Sequence, residues 1–243
     1  MKLLNSDINI HLRDRLTIFL LTNKLSSFLF GKNRSIIFNR SITRKIIEYY
    51  DGDKAHNIDR YYGNLGFGLI HYSLILNLKP GRILCVGSRK GFIPAICALA
   101  CQENSFGQVD FVDAGYGLEN KNNWSGIGFW KKINPEKHFS FLETNKYLKT
   151  YIMTSEEFAK KYKKRTYQYI YIDGDHSYEG VKKDFNLFWS RLEKGGLMVF
   201  HDVTVKEYPG LPKFGVWKFW QEVKGEKISI PLTQSGLGIL QKT

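Results

Sequence analysis

Residues 167–180 read Tyr-Gln-Tyr-Ile-Tyr-Ile-Asp-Gly-Asp-His-Ser-Tyr-Glu-Gly. Tyr167 to Ile172 is nearly continuous in β-branched and aromatic side chains, the pattern of a strand buried on both faces. Asp173-Gly174-Asp175-His176 then places polar groups at the carboxyl end of that strand. Tyr178, Val181, Phe185, Phe188 and Leu192 follow at gaps of three and four, which predicts a helix with one buried face. A buried strand, a polar loop and an amphipathic helix form the repeating unit of a parallel α/β sheet.

The same unit recurs on both sides. Upstream, Arg82 to Val86 predicts a first strand, Ile93 to Ala100 a helix, Val109 to Val112 a second strand ending at Asp113, and Tyr151 to Met153 a third. Downstream, the turn Gly195-Gly196 leads into a fifth strand, Leu197 to Phe200, which ends in His201-Asp202. Lys227 to Ile230 and Leu237 to Leu240 are two further strand candidates. The expected class is α/β: a Rossmann-like, mostly parallel sheet with helices on both faces, over residues 55–243, and a helical N-terminal extension over 1–54.

The 243 residues suit one large domain with an appendage. With 43% hydrophobic and 24% charged residues the chain is globular in composition. Its net charge of +13 favours anionic partners: nucleic acid, a membrane surface, or a phosphorylated or carboxylated substrate. Residues 1–50 hold nine Lys/Arg against three acids, and Leu12, Leu16, Phe19 and Leu20 follow helical spacing. Two readings of this extension stand: a cap on the main domain with a solvated basic face, or a basic amphipathic helix in peripheral contact with a membrane. Cys85, Cys97 and Cys101 fit ordinary packing better than disulfides or zinc. No apolar run near the N-terminus approaches the roughly 20 residues that cross a bilayer, so a cytoplasmic location is expected. Residues 115–150 are too long for an ordinary connection. Their run Trp124-Ser-Gly-Ile-Gly-Phe-Trp130 is either a lid over a substrate or a surface excursion with its own aromatic core.

Three motifs carry chemistry. In Gly87-Ser88-Arg89-Lys90-Gly91, glycines let the backbone approach a ligand, and the next helix offers free N–H groups. Asp113, 26 residues after Gly87, either accepts hydrogen bonds from the ribose of an adenosine ligand or caps a turn. The loop lacks the Lys-Ser/Thr of a triphosphate-binding loop. The second motif is Asp173 to His176, and the third is His201-Asp202. In the usual strand order of this fold, strands four and five are neighbours, so Asp173, His201 and Asp202 converge. Two carboxylates and an imidazole suit a divalent cation, and a mostly oxygen set favours Mg²⁺, Mn²⁺ or Ca²⁺. His176 is then the candidate general base. The alternative is a set of loop hydrogen-bonders without a metal.

The block Ile172-Asp-Gly-Asp-His-Ser-Tyr-Glu-Gly-Val181, with Asp184, Trp189, Gly195-Gly196 and Phe200-His-Asp202, resembles the class I S-adenosylmethionine (SAM)-dependent methyltransferases of the type 24 family. Val216-Trp-Lys-Phe-Trp220 and Gly236-Leu-Gly238 are similar to its C-terminal stretch. The resemblance covers residues 62–240. It implies a seven-stranded sheet and methyl transfer from SAM to oxygen. Similarity to sugar and macrolide O-methyltransferases implies Mg²⁺ (or Mn²⁺) held by Asp173 and Asp202 with His201 as a third ligand, and His176 as base. Gly87, Ser88 and Gly91 would line the methionine part of SAM, Asp113 its ribose, and Ser155 its adenine. The sequence departs from the family at Cys85, where an acid is usual, at the basic pair Arg89-Lys90, and at His201, which replaces a common carboxylate. The implied acceptor is a small molecule or glycan, anionic or lipid-linked. A homo-oligomer is compatible with the sequence. Nucleic acid is a weaker candidate acceptor, because the positive charge is spread along the chain and no nucleic-acid module is recognisable. The chain could also be a non-catalytic SAM-binding partner protein or an iron-dependent oxygenase-like relative.

Overall fold

The computed structural model describes residues 40–50, 54–59, 61, 63–115, 128–206, 214–231 and 235–243. The chain divides into two compact units, Met1–Arg40 and Ser41–Thr243. The amphipathic pattern of Leu12 to Leu20 and the Trp124 end of the aromatic run lie outside the described residues.

The second unit is built on a seven-stranded sheet of order β3-β2-β1-β4-β5-β7-β6. Its strands are β1 (Arg82–Val86), β2 (Gln108–Asp113), β3 (Leu148–Ile152), β4 (Tyr167–Ile172), β5 (Leu192–His201), β6 (Glu226–Pro231) and β7 (Gly236–Gln241). The first five are parallel, and β7 runs antiparallel between β5 and β6. The strand order reverses between β1 and β4, which both open at their carboxyl ends. That crevice is where sheets of this kind bind ligands.

Local chemistry sets where the elements stop and start. The helix α1 (Arg40–Tyr49) precedes a short 3-10 turn at Lys54–His56 and α2 (Phe67–Leu78). Helix α2 ends where Lys79 adopts a left-handed conformation before Pro80-Gly81. The next helix, α3 (Phe92–Asn104), is buried continuously from Phe92 to Cys101, as a helix sandwiched between sheet and helix must be. The three cysteines are free and buried, in keeping with a packing role. Between β2 and β3 lie α4 (Phe129–Lys132) and α5 (Pro135–Phe139). The helix α6 (Ser155–Lys161) follows β3, α7 (Tyr178–Phe188) follows β4, and α8 (Val216–Glu222) follows β5. Thr154 and Glu157 form a reciprocal capping box at the start of α6. Ser177 caps α7 by accepting from the Gly180 N–H at 3.0 Å.

One feature differs in detail from the sequence expectation. Gly195-Gly196 is a bulge inside a longer strand and not a turn before one: Leu192 pairs with Tyr167 and Leu197 with Tyr169, so β5 carries extra residues between two pairings. Residues 128–150 hold a packed aromatic cluster. Trp130, His138 and Phe139 are buried and stack around one another beside Gly91. Tyr50, at the end of α1, is fully buried against Phe92, and its hydroxyl donates to the Gly91 carbonyl at 3.4 Å. His138 donates from Nε2 to the Lys90 carbonyl at 2.9 Å and accepts at Nδ1 from the Tyr49 hydroxyl at 2.8 Å. Burial lowers its pKa, so it is neutral. The residues of α1 thereby brace the loop after β1.

Deleting the Tyr50 ring removes this brace. Tyr50→Ala should destabilise the protein by about 3–5 kcal/mol, the range for large aromatic truncations in a core. Urea unfolding measures it, and a change below about 1 kcal/mol would show that α1 is dispensable to the packing.

Candidate active site

The site grows from the ends of β1 and β4. The Asp173 N–H donates to the Val86 carbonyl at 2.8 Å, and the Gly87 N–H donates to the Val112 carbonyl at 2.8 Å. Gly87 has φ +70°, and a Cβ there would sit 2.3 Å from the Asp173 carbonyl oxygen. Only glycine allows the two loops to meet this closely. Gly91, at φ +82°, faces the Phe139 ring in the same way. Between them Ser88 is fully buried, and its Oγ has no hydrogen-bond partner among the described residues. Asp113 ends β2 and accepts the Gly115 N–H at 2.8 Å. Burial pushes its pKa up to about 6, with the Gly115 N–H opposing. Ser155 opens α6 after β3. The sequence-predicted residues Gly87, Ser88, Gly91, Asp113 and Ser155 thus sit at the carboxyl ends of β1, β2 and β3, along one edge of the sheet.

Beside that edge lies a buried cluster of carboxylates and imidazoles. His201 and Asp202 are neighbours at the end of β5, and successive side chains of a strand normally point to opposite faces. Asp202 escapes this rule by adopting φ +62°, a left-handed conformation tolerated by Asp at a cost of about 1–3 kcal/mol. As a result His201 Nδ1 lies 3.3 Å from Asp202 Oδ2, and 3.2 Å from Asp173 Oδ1. His176, three residues after Asp173, joins them: its Nε2 is 3.2 Å from Asp173 Oδ1 and 3.0 Å from Asp202 Oδ2. The Gly215 N–H holds the His176 carbonyl at 2.9 Å, and Phe214 packs against the imidazole. All four residues singled out in the sequence therefore meet at one point.

A fifth was not foreseen. His56, from the turn before α2, stacks on His201 with ring centroids 4.5 Å apart. Its Nε2 lies 3.0 Å from the Tyr171 hydroxyl and 3.6 Å from Asp173 Oδ2. A lone histidine in an irregular segment carries no periodic signal, and it lies far from β4 in sequence. The neighbouring Ala55 carbonyl accepts from His201 Nε2 at 3.0 Å. That bond fixes the imidazole and turns Nδ1 toward the carboxylates. Nδ1 is aligned for a hydrogen bond with neither of them.

The charges are strongly coupled. Burial alone would raise Asp173, but the histidines around it hold its pKa well below the usual carboxylate range. The pKa of Asp202 is depressed likewise, with His201 and His176 overcoming its burial. Burial would lower His176, yet the two carboxylates push it up to about 9, and they raise His201 well above its ordinary value. Two overlapping triads have the make-up of a cation site: His56, Asp173 and His201, and His176, His201 and Asp202.

A family model described as a methyltransferase domain matches residues 84–203, from the middle of β1 to the turn after β5. Over that span the chain carries a methyltransferase domain. The matched span contains every predicted site residue, and His56 lies outside it. The protein y4gI of Sinorhizobium fredii is 26% identical over 181 residues, which is 74% of this chain and 18% of that protein. The protein R132 of Acanthamoeba polyphaga mimivirus is 52% identical over 33 residues, 14% of this chain and 15% of that one. The chain therefore spans less than a fifth of the length of either relative. Among solved structures, the O-methyltransferase of Bacillus cereus in complex with SAH aligns at TM-score 0.53 and 11% identity, over 90% of this chain and 96% of that one. The Streptomyces achromogenes O-methyltransferase TomG with SAM aligns at TM-score 0.55 and 12% identity, over 90% and 95%. The Podospora anserina methyltransferase PaMTH1 with SAH aligns at TM-score 0.54 and 14% identity, over 96% of each chain. At these identities the likeness establishes the fold.

Behind the Asp173–Gly174 turn of this methyltransferase, Asp184 of α7 is buried, and its Oδ1 has no hydrogen-bond partner among the described residues. Burial pushes its pKa up to about 7, with Ser155 and Lys183 opposing. A carboxyl whose pKa is higher folded than unfolded stabilises most when protonated, and that stabilisation is lost as pH rises toward the folded value. Stability of the native protein should fall relative to Asp184→Asn between about pH 4 and pH 7. Thermal melts of both proteins across that window check it, and a constant difference would mean that Asp184 ionises without cost.

Proposed function

We propose that the chain transfers the methyl group of SAM to a hydroxyl oxygen of a small-molecule or glycan acceptor, assisted by a divalent cation. The observation that carries this reading is that His176 and His201 each lie 3.0–3.3 Å from both Asp173 and Asp202, beside the loop at the switch point of the sheet. Two of the structural neighbours named above are O-methyltransferases and all three are bound to SAM or SAH, which supports the cofactor and the oxygen acceptor.

The residues present suit SAM. The Gly87–Gly91 loop has no Cβ at the positions of closest approach, and the buried Ser88 Oγ is left for a ligand. Asp113 is the acceptor for ribose hydroxyls at the end of β2, and Ser155 stands where the adenine would lie. The bound cofactor supplies a methyl group on a sulfonium that is already a good leaving group. What remains for the protein is alignment and a nucleophile.

The residues also suit a cation, because His201 Nδ1 is buried, turned toward both carboxylates and without an aligned hydrogen-bond partner among the described residues. Asp173, His201 and Asp202 would hold it, and its contribution is Lewis acidity that lowers the pKa of a hydroxyl. The chain's own residues do the rest. The two carboxylates orient His176, and its Nε2, directed at the space between them, accepts the proton leaving the acceptor hydroxyl. Phe214 and the capped start of α7 keep that imidazole in place. The net charge of +13 favours an anionic or lipid-linked acceptor, and a sugar hydroxyl agrees with the motif resemblance.

Methyl transfer from SAM to a panel of sugar, glycan and phenolic acceptors tests the reading. Asp173→Asn and Asp202→Asn should abolish turnover while calorimetry still finds SAH bound. Undiminished turnover in excess chelator rejects the cation, and absence of SAH binding by the native protein rejects the whole assignment. His176→Asn should lower kcat by about 10²- to 10⁴-fold with little change in SAH affinity. A variant that keeps its native rate excludes His176 as the base.

A further inference from the structure

The site differs from an oxygen-only cation site in two ways, and together they point to the class of ion it takes. Mg²⁺ is a hard ion that prefers oxygen donors and keeps several waters. Here three imidazoles surround two carboxylates. Exposure is low throughout: the side chains of His56, Asp173, His176, His201 and Asp202 are 3%, 6%, 9%, 2% and 11% accessible. Little of a hydration shell survives in such surroundings. Imidazole nitrogen is a preferred donor for zinc, iron, nickel and copper, and a mixed histidine–carboxylate set with open positions is typical of first-row transition ions.

We infer that this site selects a first-row divalent transition ion over Mg²⁺, and that His56 is one of its ligands with Asp173, His201 and Asp202. The inference rests on the cation-assisted reading above and deepens it. The geometry agrees. Ligands about 2.1 Å from an ion stand about 3.0 Å apart when cis in an octahedron and about 3.4 Å apart in a tetrahedron. His201 Nδ1 is 3.2 Å from Asp173 Oδ1 and 3.3 Å from Asp202 Oδ2, within that interval. His56 Nε2 stands 3.6 Å from Asp173 Oδ2, slightly beyond it, and 3.0 Å from the Tyr171 hydroxyl, so a small inward movement of the ring that exchanges the hydroxyl contact for the ion completes the set. The bond from His201 Nε2 to the Ala55 carbonyl is the kind of outer contact that fixes a ligating histidine, its tautomer and its ring plane. Ala55 and His56 share one short turn, so that turn supplies a ligand and the brace for a second ligand. His176 Nε2, 3.2 Å from Asp173 Oδ1 and 3.0 Å from Asp202 Oδ2, falls within the same interval, and the proposed function keeps it as the base.

Calorimetric titration of the metal-free full chain with Mn²⁺, Co²⁺, Zn²⁺ and Mg²⁺, each with and without SAH, tests this. The transition ions should bind with one equivalent, and Mg²⁺ at least about 100-fold more weakly. Because transition ions bind more tightly to most sites, the ligands must also be read directly. Pulsed electron paramagnetic resonance of the Mn²⁺ complex should show ¹⁴N couplings from imidazole, and His56→Gln should remove one of them. The same variant should weaken Mn²⁺ and Zn²⁺ by about 10- to 100-fold, the cost of losing a contact in such a site. His201→Asp, which restores an oxygen donor, should shift the preference back toward Mg²⁺. Circular dichroism and SAH binding of both variants report whether they fold. Equal affinity for Mg²⁺, absent ¹⁴N couplings, or a folded His56→Gln that binds Mn²⁺ like the native chain would each overturn the inference. If SAH binds and no ion does, only the cation site falls; if SAH itself does not bind, the methyltransferase reading falls first.

Discussion

Two carboxylates held next to each other away from water are unstable unless positive charge is placed among them. Asp173 and Asp202 are in that position, and much of the surrounding structure exists to meet the demand. Asp173 serves as the hinge of the arrangement. Its N–H is tied to β1, its carbonyl presses on Gly87, and its carboxylate faces three histidines. Displacing it would disturb the cofactor loop and the charged cluster together. In the absence of a cation, protons on His176 and His201 supply the balance, which is why both are held protonated and both acids held ionised. On the proposed reading, a cation held by the carboxylates would weaken that hold on His176 and favour the neutral imidazole that a base requires.

The sheet provides this geometry through topology. Parallel strands deliver their carboxyl ends to one edge, and the reversal of order between β1 and β4 leaves a crevice there. The pairing of β4 with β5 then brings Asp173 beside His201 and Asp202. Backbone conformation does the final positioning. Left-handed geometry at Gly87 lets two loops touch, and at Asp202 it brings adjacent side chains onto one target.

The parts of the structure legible in the sequence were those governed by short-range pattern. The β-branched run before Asp173 marks β4, the three- and four-residue spacing after it marks α7, and the strand-terminal placement of Asp173, His176, His201 and Asp202 marks the site. What pattern does not carry is tertiary adjacency. His56 lies in an irregular segment before the sheet, and nothing near it in sequence distinguishes it from a solvated histidine. Gly195-Gly196 reads as a turn, because composition alone does not separate a turn from a bulge inside a strand. The aromatic run around Trp130 left a lid and a small core equally open. The packing of Trp130 and Phe139 on Gly91 depends on contacts across the fold, and residues 116–127, where the run begins, lie outside the described structure.

The replacement of a common acid by His201 shows how one residue changes the electrostatics of such a site. A third carboxylate at that position would deepen the negative charge and remove one of the two imidazoles that balance it. An imidazole is neutral or positive, so it lets the protein hold the cluster together before any ion arrives. It also brings a nitrogen donor whose direction is already set by the Ala55 carbonyl. On the proposed reading the gain in pre-organisation would come with a narrower choice of ion, because nitrogen donors and a dry pocket disfavour an ion that keeps its water. The segment carrying Ala55 and His56 therefore belongs to the site as much as the strand ends do, even though it precedes the first strand.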